Sequence, residues 1–162
     1  MKRKIILGIL AVLVLIQFIR PTKNKASEIS ANDIRKQYAM PKDVEETLNK
    51  ACMDCHSNNT SYPWYFNMQP VAWWLQHHVN EGKEELNLSE FATYSPKKAN
   101  HKLGEIIESQ EDGWMPIDSY TWIHKNAKLT QEQKIAIIIW AEGVQQQIKA
   151  ANPSVNFTAK KK

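Results

Sequence analysis

The feature that most constrains this chain is a five-residue motif, Cys52-Met53-Asp54-Cys55-His56, which reads C-x-x-C-H. Two thiols three positions apart on one turn can add to the two vinyl groups of one porphyrin. The adjacent imidazole can then bind the iron as the proximal ligand. The motif therefore predicts a covalently attached haem c, with Cys52 and Cys55 as the attachment residues and His56 on the iron. Because covalent attachment keeps the haem from being lost, the fold around it can be small.

Three other interpretations of the two cysteines stay open at this point. A redox dithiol normally lies on a βαβ pattern, and the chain has no convincing β-run. A zinc site would need two further ligands at an unusual spacing. The candidates for them are His77, His78, His101 and His124. A disulfide across C-x-x-C is strained and is usually catalytic. A zinc or dithiol module is thus the weaker alternative to a haem protein.

The N-terminal segment predicts a membrane anchor. Basic residues at positions 2–4 precede an apolar run over residues 5–19, and Arg20-Pro21 ends that run. A signal-peptide cleavage site needs small residues at −3 and −1, and the nearest candidate, residues 24–26, is poor at −3. We therefore expect residues 1–20 to form an uncleaved signal anchor, a transmembrane helix in the inner (cytoplasmic) membrane, with a cleaved signal peptide as the alternative. Haem attachment belongs to the export side, so the haem domain is expected on the periplasmic side.

The distribution of charge argues against nucleic acid as a partner. The formal net charge is +4, but residues 1–30 carry six basic and one acidic residue, and residues 160–162 are three lysines. The remaining residues 31–159 hold twelve basic and sixteen acidic residues, which gives −4. Nucleic-acid binding normally depends on an excess of positive charge, and the folded part does not have one.

Beyond the anchor, the sequence predicts an all-α fold in three parts. Residues 21–33 are polar without periodicity and are interpreted as a tether, residues 34–152 as the haem-binding domain, and residues 153–162 as a basic tail. The predicted helix starts are Pro41, Pro70, Ser95-Pro96 and the capping box of Thr130 with Gln133. Gly82 is expected to end the second helix. The apolar stripe expected on the last helix includes Ile135, Ile138, Ile139 and Ile148, with Trp140 and Val144 beside it.

The order of these features resembles that of a class I c-type cytochrome: a helix enters C-x-x-C-H, helices follow, then a Met-Pro in a loop and a capped final helix. Over residues 40–145 the chain resembles, more narrowly, the small bacterial haem-binding domain family. The resemblance is carried by the motif continued through Ser57-Asn58-Asn59-Thr60 and Tyr62-Pro63-Trp64-Tyr65, by His78-Val79 with Gly82, by Asn87-Leu88-Ser89, and by Met115-Pro116 with Tyr120 and His124. It implies an exported, cytochrome c-like helical bundle around a covalently attached haem. Lys83 stands where the family would place an arginine.

The first candidate for the sixth iron ligand is Met115. Pro116 disfavours helix at the residue before it, so the thioether can be held in an extended loop. Met115 also follows His56 at roughly the interval seen in class I cytochromes. The alternative sixth ligand is His78, which lies on the apolar face of its predicted helix.

Aromatic residues are expected to wall the haem. Trp64, Tyr65 and Trp114 are the predicted cofactor contacts, and the first two are candidates to donate hydrogen bonds to the propionates. The whole pattern predicts a membrane-anchored monohaem c-type cytochrome that passes single electrons, through a His/Met-ligated haem, to redox partner proteins of a respiratory chain. The alternative is a haem-based sensor or peroxidatic enzyme with an open sixth site. No nucleophile or phosphate-loop motif is present, so an electron carrier is favoured over an enzyme.

Overall fold

The regular structure of the described chain is helical. The computed structural model describes residues 1–157, where α-helices and 3₁₀ turns are accompanied by one isolated bridge, between Lys25 and Asn59, and by no strand. The predicted all-α class is therefore confirmed. Lys160, Lys161 and Lys162 of the predicted basic tail lie outside the described residues.

Eight α-helices follow one another along residues 1–157. They are α1 (Lys2–Leu15), α2 (Ile34–Gln37), α3 (Lys42–Ala51), α4 (Met53–His56), α5 (Val71–Glu85), α6 (Pro96–Glu111), α7 (Asp118–Thr121) and α8 (Gln131–Ala151). Short 3₁₀ turns lie at Ile16–Phe18, Trp64–Asn67, Leu88–Thr93 and Lys125–Ala127. The predicted helix starts are confirmed by the caps. The Ser95 hydroxyl accepts a hydrogen bond at the start of α6, and Thr130 and Gln133 form a capping box before α8.

One hydrophobic core joins α3, α6 and α8. Its buried members include Val44, Leu48, Leu103, Ile137, Trp140, Val144 and Ile148. Each large apolar side chain buried in this way stabilises the fold by about 1.5–3 kcal/mol. Because α3 is held in this core, its C-terminal end, where the C-x-x-C-H motif begins, has a fixed position.

Two predictions of helix detail are wrong. The second helix does not end at Gly82, because α5 continues to Glu85. On α8, Ile135 and Ile139 are 45% and 63% exposed, and the buried face runs through Trp140 instead. Isoleucines surround this helix on several sides, so the sequence offers more than one apolar stripe. Packing against α6 and α3 selects the stripe that is buried.

The predicted membrane anchor is contradicted. Helix α1 has 14 residues, which at about 1.5 Å per residue gives roughly 21 Å, less than the ~30 Å of a hydrocarbon core. The apolar run then passes into the 3₁₀ turn Ile16–Phe18 and an extended Ile19. No helix within residues 1–157 is both long and apolar enough to cross a membrane. The predicted anchor helix, and the inner-membrane localisation that depended on it, are wrong.

The segment interpreted as a tether contacts the rest of the domain. The Asn24 amide donates hydrogen bonds to Ser57 O over 2.8 Å and to Thr60 Oγ1 over 2.9 Å. Lys83 donates to Asn24 Oδ1 over 2.7 Å, so the lysine at the position expected to hold arginine binds an amide. At the other end of the segment, Asp33 is fully buried and caps α2.

Candidate functional site

The C-x-x-C-H motif forms one short helical turn. Cys52 interrupts the helical path at φ −125° and ψ −41°, and α4 covers Met53–His56. His56 N donates to Cys52 O over 2.9 Å and closes the turn. Met53 is buried in the core, whereas Cys52, Cys55 and His56 line a common cleft. The burial of Met53 thus fixes the turn, and Cys52, Cys55 and His56 lie along the same cleft.

The His56 ring is held by two backbone carbonyls. Its Nδ1 lies 2.8 Å from Gly82 O and 3.0 Å from Leu86 O, at the C-terminal end of α5. Carbonyl oxygens only accept, so Nδ1 carries the proton and Nε2 keeps its lone pair. Burial lowers the pKa of His56, although the two carbonyl contacts oppose this effect. Burial therefore favours the neutral ring, which is the form that binds a metal.

Gly82 allows α5 to approach the motif closely. A Cβ at this position would lie 2.8 Å from Cys55 O and 2.9 Å from Cys55 Cβ. Only glycine permits the approach that brings the Gly82 carbonyl to His56. Sequence reasoning assigned Gly82 to a helix end and missed this role. The available signal was a glycine inside an otherwise helical pattern, which often has a packing cause.

We expect Gly82→Ala to destabilise the protein by about 1–3 kcal/mol, because the added methyl group meets backbone and the helices must separate. The matched control is Gly143→Ala in α8, where a Cβ meets nothing within 4 Å. That change should stabilise by about 0.5–1 kcal/mol, since alanine is the better helix former. Denaturant unfolding measures both free energies. Equal effects of the two substitutions would show that the α4–α5 contact can relax.

The cleft in front of the motif has a volume of about 770 Å³. It lies between the α3–α4 corner, the C-terminal part of α5, α6 and the loop that follows α6. Trp114 and Met115 of that loop line it together with the motif, and so does His78 of α5. Sites for small molecules and cofactors typically measure about 300–1,000 Å³, so the cleft is large enough for a cofactor.

Most of the predicted site residues are thus brought together, but two are not. Trp64 is 75% exposed and does not line the cleft. The Tyr65 hydroxyl is 3.1 Å from His124 Nε2, and Tyr65 lines an adjoining pocket of about 70 Å³ that shares Cys55 and Tyr120 with the cleft. Their predicted contact with the propionates was based on nearness to the motif in sequence. The 3₁₀ turn at Trp64–Asn67 leaves Trp64 exposed and places Tyr65 beside the cleft, so this contact stays a prediction.

The family model of the haem-binding domain matches residues 11–143, which include the motif, the cleft and the loop after α6. The chain belongs to the haem-binding domain family. Among curated proteins and among solved structures, none matches the chain. This chain is therefore a haem protein.

The cleft of this haem-binding domain contains polar groups suited to a buried ligand. Lys102 is buried, and its Nζ lies 2.7 Å from Glu105 Oε2 and 3.3 Å from Glu85 Oε2. Burial alone would lower the pKa of Lys102, but hydrogen bonds to the two glutamates outweigh it and raise the pKa. Gln110 also lines the cleft, and its buried Oε1 has no partner in the described chain. Buried polar atoms are rarely left unpaired, so this oxygen is an exception within the described residues.

The polar run after the motif braces the turn that carries the two cysteines. Asn58 N donates to Ser89 Oγ of the 3₁₀ turn Leu88–Thr93 over 3.1 Å. The side-chain amide of Asn58 donates to Glu90 Oε1 over 2.8 Å. Asn87 Nδ2 donates back to Asn58 Oδ1 over 2.9 Å. The Asn87-Leu88-Ser89 run that carried part of the family resemblance therefore has a structural role, which is to fix the chain leaving His56.

The environment of the thiols does not favour thiolates. Burial raises the pKa of Cys52 to about 12 and that of Cys55 to about 11, and the charge of Asp54 adds to the second shift. The two thiols are not joined in a disulfide. Within residues 1–157, no group of three or more His, Cys, Asp or Glu side chains could hold a metal ion. The histidines needed for the zinc alternative are thus not gathered around the two cysteines.

Proposed function

We propose that this haem-binding domain is a monohaem c-type cytochrome that carries single electrons between protein partners of a respiratory chain. Cys52 and Cys55 would attach the haem, His56 would be the proximal ligand and Met115 the sixth ligand. The observation that supports this best is the His56 ring, whose Nδ1 is bound by two carbonyls while Nε2 remains available in the cleft that both cysteines line. When bound, the haem supplies a one-electron couple.

The two carbonyls define what His56 contributes. They fix the tautomer and the orientation of the ring, and a hydrogen bond from the second nitrogen makes the ligating nitrogen more basic. A more basic ligand favours the ferric state. Gly82 supports this arrangement indirectly, because the close approach of α5 to Cys55 brings the carbonyl within 2.8 Å of Nδ1.

The position of Met115 favours it over His78 as the sixth ligand. His56 and the second ligand would hold the haem from two walls of the cleft. His78 lies on α5, the helix whose carbonyls hold the His56 ring, and its own Nδ1 is 2.9 Å from Trp74 O. Met115 lies on the loop after α6, a different wall of the same cleft. The Met115 thioether would thus hold the haem from a wall other than the one against which the His56 ring is fixed.

The thiol environment argues against a redox dithiol. Reactive dithiols depend on a positive environment that lowers the thiol pKa, whereas burial raises the pKa of both cysteines here. Thioether bonds do not require a stable thiolate in the finished protein. The partly buried setting of Cys52 and Cys55 beside the cleft is therefore compatible with covalent haem.

The test of this proposal is an absorption spectrum, oxidised and reduced, of protein from a host that can mature c-type cytochromes. We expect one haem per chain, a low-spin spectrum in both states and a pyridine haemochrome of the thioether type. A high-spin ferric spectrum with immediate binding of carbon monoxide would instead support the sensor or peroxidatic enzyme. Protein that carries no haem from such a host would contradict the cytochrome altogether.

A further inference from the structure

A hydrogen bond connects the two sides of the haem cleft. The Tyr120 hydroxyl on α7 donates to Asp54 Oδ2 over 2.7 Å, and Asp54 lies between the two cysteines of the motif. The same hydroxyl is 3.4 Å from Lys50 O, near the end of α3. Burial, and then the bond to Asp54, raise the pKa of Tyr120 well above its usual range, so the hydroxyl remains a donor.

Asp54 is itself fixed on the motif side. Its Oδ1 accepts a hydrogen bond from Ser61 N over 2.8 Å, and its backbone oxygen accepts one from Thr60 Oγ1 over 2.7 Å. The two carboxylate oxygens of Asp54 thus bind different parts of the chain. Oδ1 holds the chain that leaves the motif, and Oδ2 holds α7.

Tyr120 is fixed in turn by the residues behind it. Its ring stacks on His124, with 4.3 Å between centroids and 14° between planes, and His124 Nε2 is 3.1 Å from the Tyr65 hydroxyl. Tyr65, on the 3₁₀ turn Trp64–Asn67, therefore supports Tyr120 through His124. This gives Tyr65 and His124 a role away from the cleft.

The Tyr120 hydroxyl is the main polar attachment of the loop that carries Met115. Within the described residues 1–157, the hydrogen bonds that link the segment 114–123 to α3 and to the motif come from this hydroxyl, and the other bond that crosses the end of the segment is local, from His124 N to Tyr120 O over 3.0 Å. The other hydrogen bonds of the segment are local, such as Tyr120 N to Ile117 O over 3.0 Å. Trp114 is half exposed and Met115 only partly buried, so apolar packing holds the segment incompletely.

We propose that Asp54 and Tyr120 form a clasp that keeps the Met115 loop closed over the haem cleft and so controls access to the sixth iron position. The clasp rests on the proposed function for its effect on Met115, but the closure of the loop is a property of the chain itself. Asp54 and Tyr120 are positioning residues, since neither side chain is proposed to touch the iron. The identity of the second of the two residues between the cysteines would thereby decide how firmly the opposite wall is held.

The test compares wild type, Tyr120→Phe, Asp54→Ala and the double variant as full-length holoprotein. Hydrogen exchange of peptides that cover residues 113–119 measures loop opening. Carbon monoxide association with the ferrous protein measures access to the iron. The matched control is Tyr94→Phe, which removes the hydroxyl that accepts from Asn87 N over 2.8 Å and does not contact the Met115 loop.

We expect Tyr120→Phe to speed both exchange and carbon monoxide association by roughly 10- to 100-fold, the factor that corresponds to a hydrogen bond with a charged acceptor. Asp54→Ala should act in the same direction. The double variant should exceed neither single variant by much, because both remove one interaction. Tyr94→Phe should leave both rates at the wild-type value.

Exchange and carbon monoxide association that are the same in Tyr120→Phe as in Tyr94→Phe would overturn the clasp. Fully additive effects of the two single substitutions would also overturn it, since the residues would then act separately. If exchange accelerates as expected but the wild type lacks the absorption band of iron–sulfur ligation, the clasp stands and the assignment of Met115 as ligand fails. The two failures are therefore distinguishable in one set of proteins.

Discussion

Replacement of both motif cysteines, Cys52→Ser with Cys55→Ser, is expected to abolish covalent haem completely. The chain has two cysteines in all, so no other thiol can replace them. Each single substitution should leave at most one thioether bond and a large loss of holoprotein. Haem staining after denaturing electrophoresis measures the covalent fraction, and the pyridine haemochrome reports how many vinyl groups remain unsaturated.

The control for this experiment lies in the same turn. Met53→Leu changes the residue between Cys52 and Asp54 while keeping its volume, and such exchanges in a core usually cost less than about 1.5 kcal/mol. It should retain covalent haem at the wild-type level. Haem that survives denaturation in the double serine variant would mean that the attachment residues lie elsewhere and would remove the basis of the c-type assignment.

Features of the chain that depend on adjacent residues could be predicted from sequence. The motif turn, the Ser95 cap and the capping box of Thr130 with Gln133 all rest on hydrogen bonds within a few positions. Met115 was selected because Pro116 acts on the residue directly before it, and the structure places Met115 in the cleft. Local interactions of this kind can be predicted from sequence because the two partners are neighbours in the chain.

The parts of the site that depend on distant residues could not be predicted in this way. The carbonyls of Gly82 and Leu86 reach His56 across a helix-helix contact, and the clasp of Asp54 with Tyr120 joins residues 66 positions apart. Lys102 on α6 appears in sequence as one more charged helical residue. Neither periodicity nor spacing in the sequence predicts that the Lys102 side chain is buried beside the cleft.

The wrong prediction of a membrane anchor has a related cause. The membrane anchor was predicted by counting apolar residues, yet the helix stops at Leu15, before the apolar run ends. Trp64 and Tyr65 were assigned to the haem because they follow the motif closely in sequence. The 3₁₀ turn Trp64–Asn67 leaves Trp64 exposed and Tyr65 in the pocket beside the cleft, so their contact with the haem stays a prediction. Distance along the chain is a poor guide to distance in space once a turn intervenes.

Replacement of Met115 by alanine is expected to change the spin state of the iron. If the Met115 thioether is the sixth ligand, the wild-type ferric protein should be low-spin with a weak charge-transfer band of iron–sulfur ligation. Met115→Ala should lose that band and bind carbon monoxide or cyanide readily. It should also lower the reduction potential, because a thioether favours the ferrous state and water or hydroxide does not. Optical spectra and a redox titration measure these changes.

Three further variants define the interpretation. Met115→His should restore a low-spin spectrum at a potential below that of wild type. Met68→Ala is the matched control, since Met68 is 50% exposed and does not line the cleft, and it should leave spectrum and potential unchanged. His78→Ala should affect stability or potential only modestly. An unchanged spectrum in Met115→Ala, together with a high-spin spectrum in His78→Ala, would establish bis-histidine ligation and move the sixth ligand from the loop after α6 to α5.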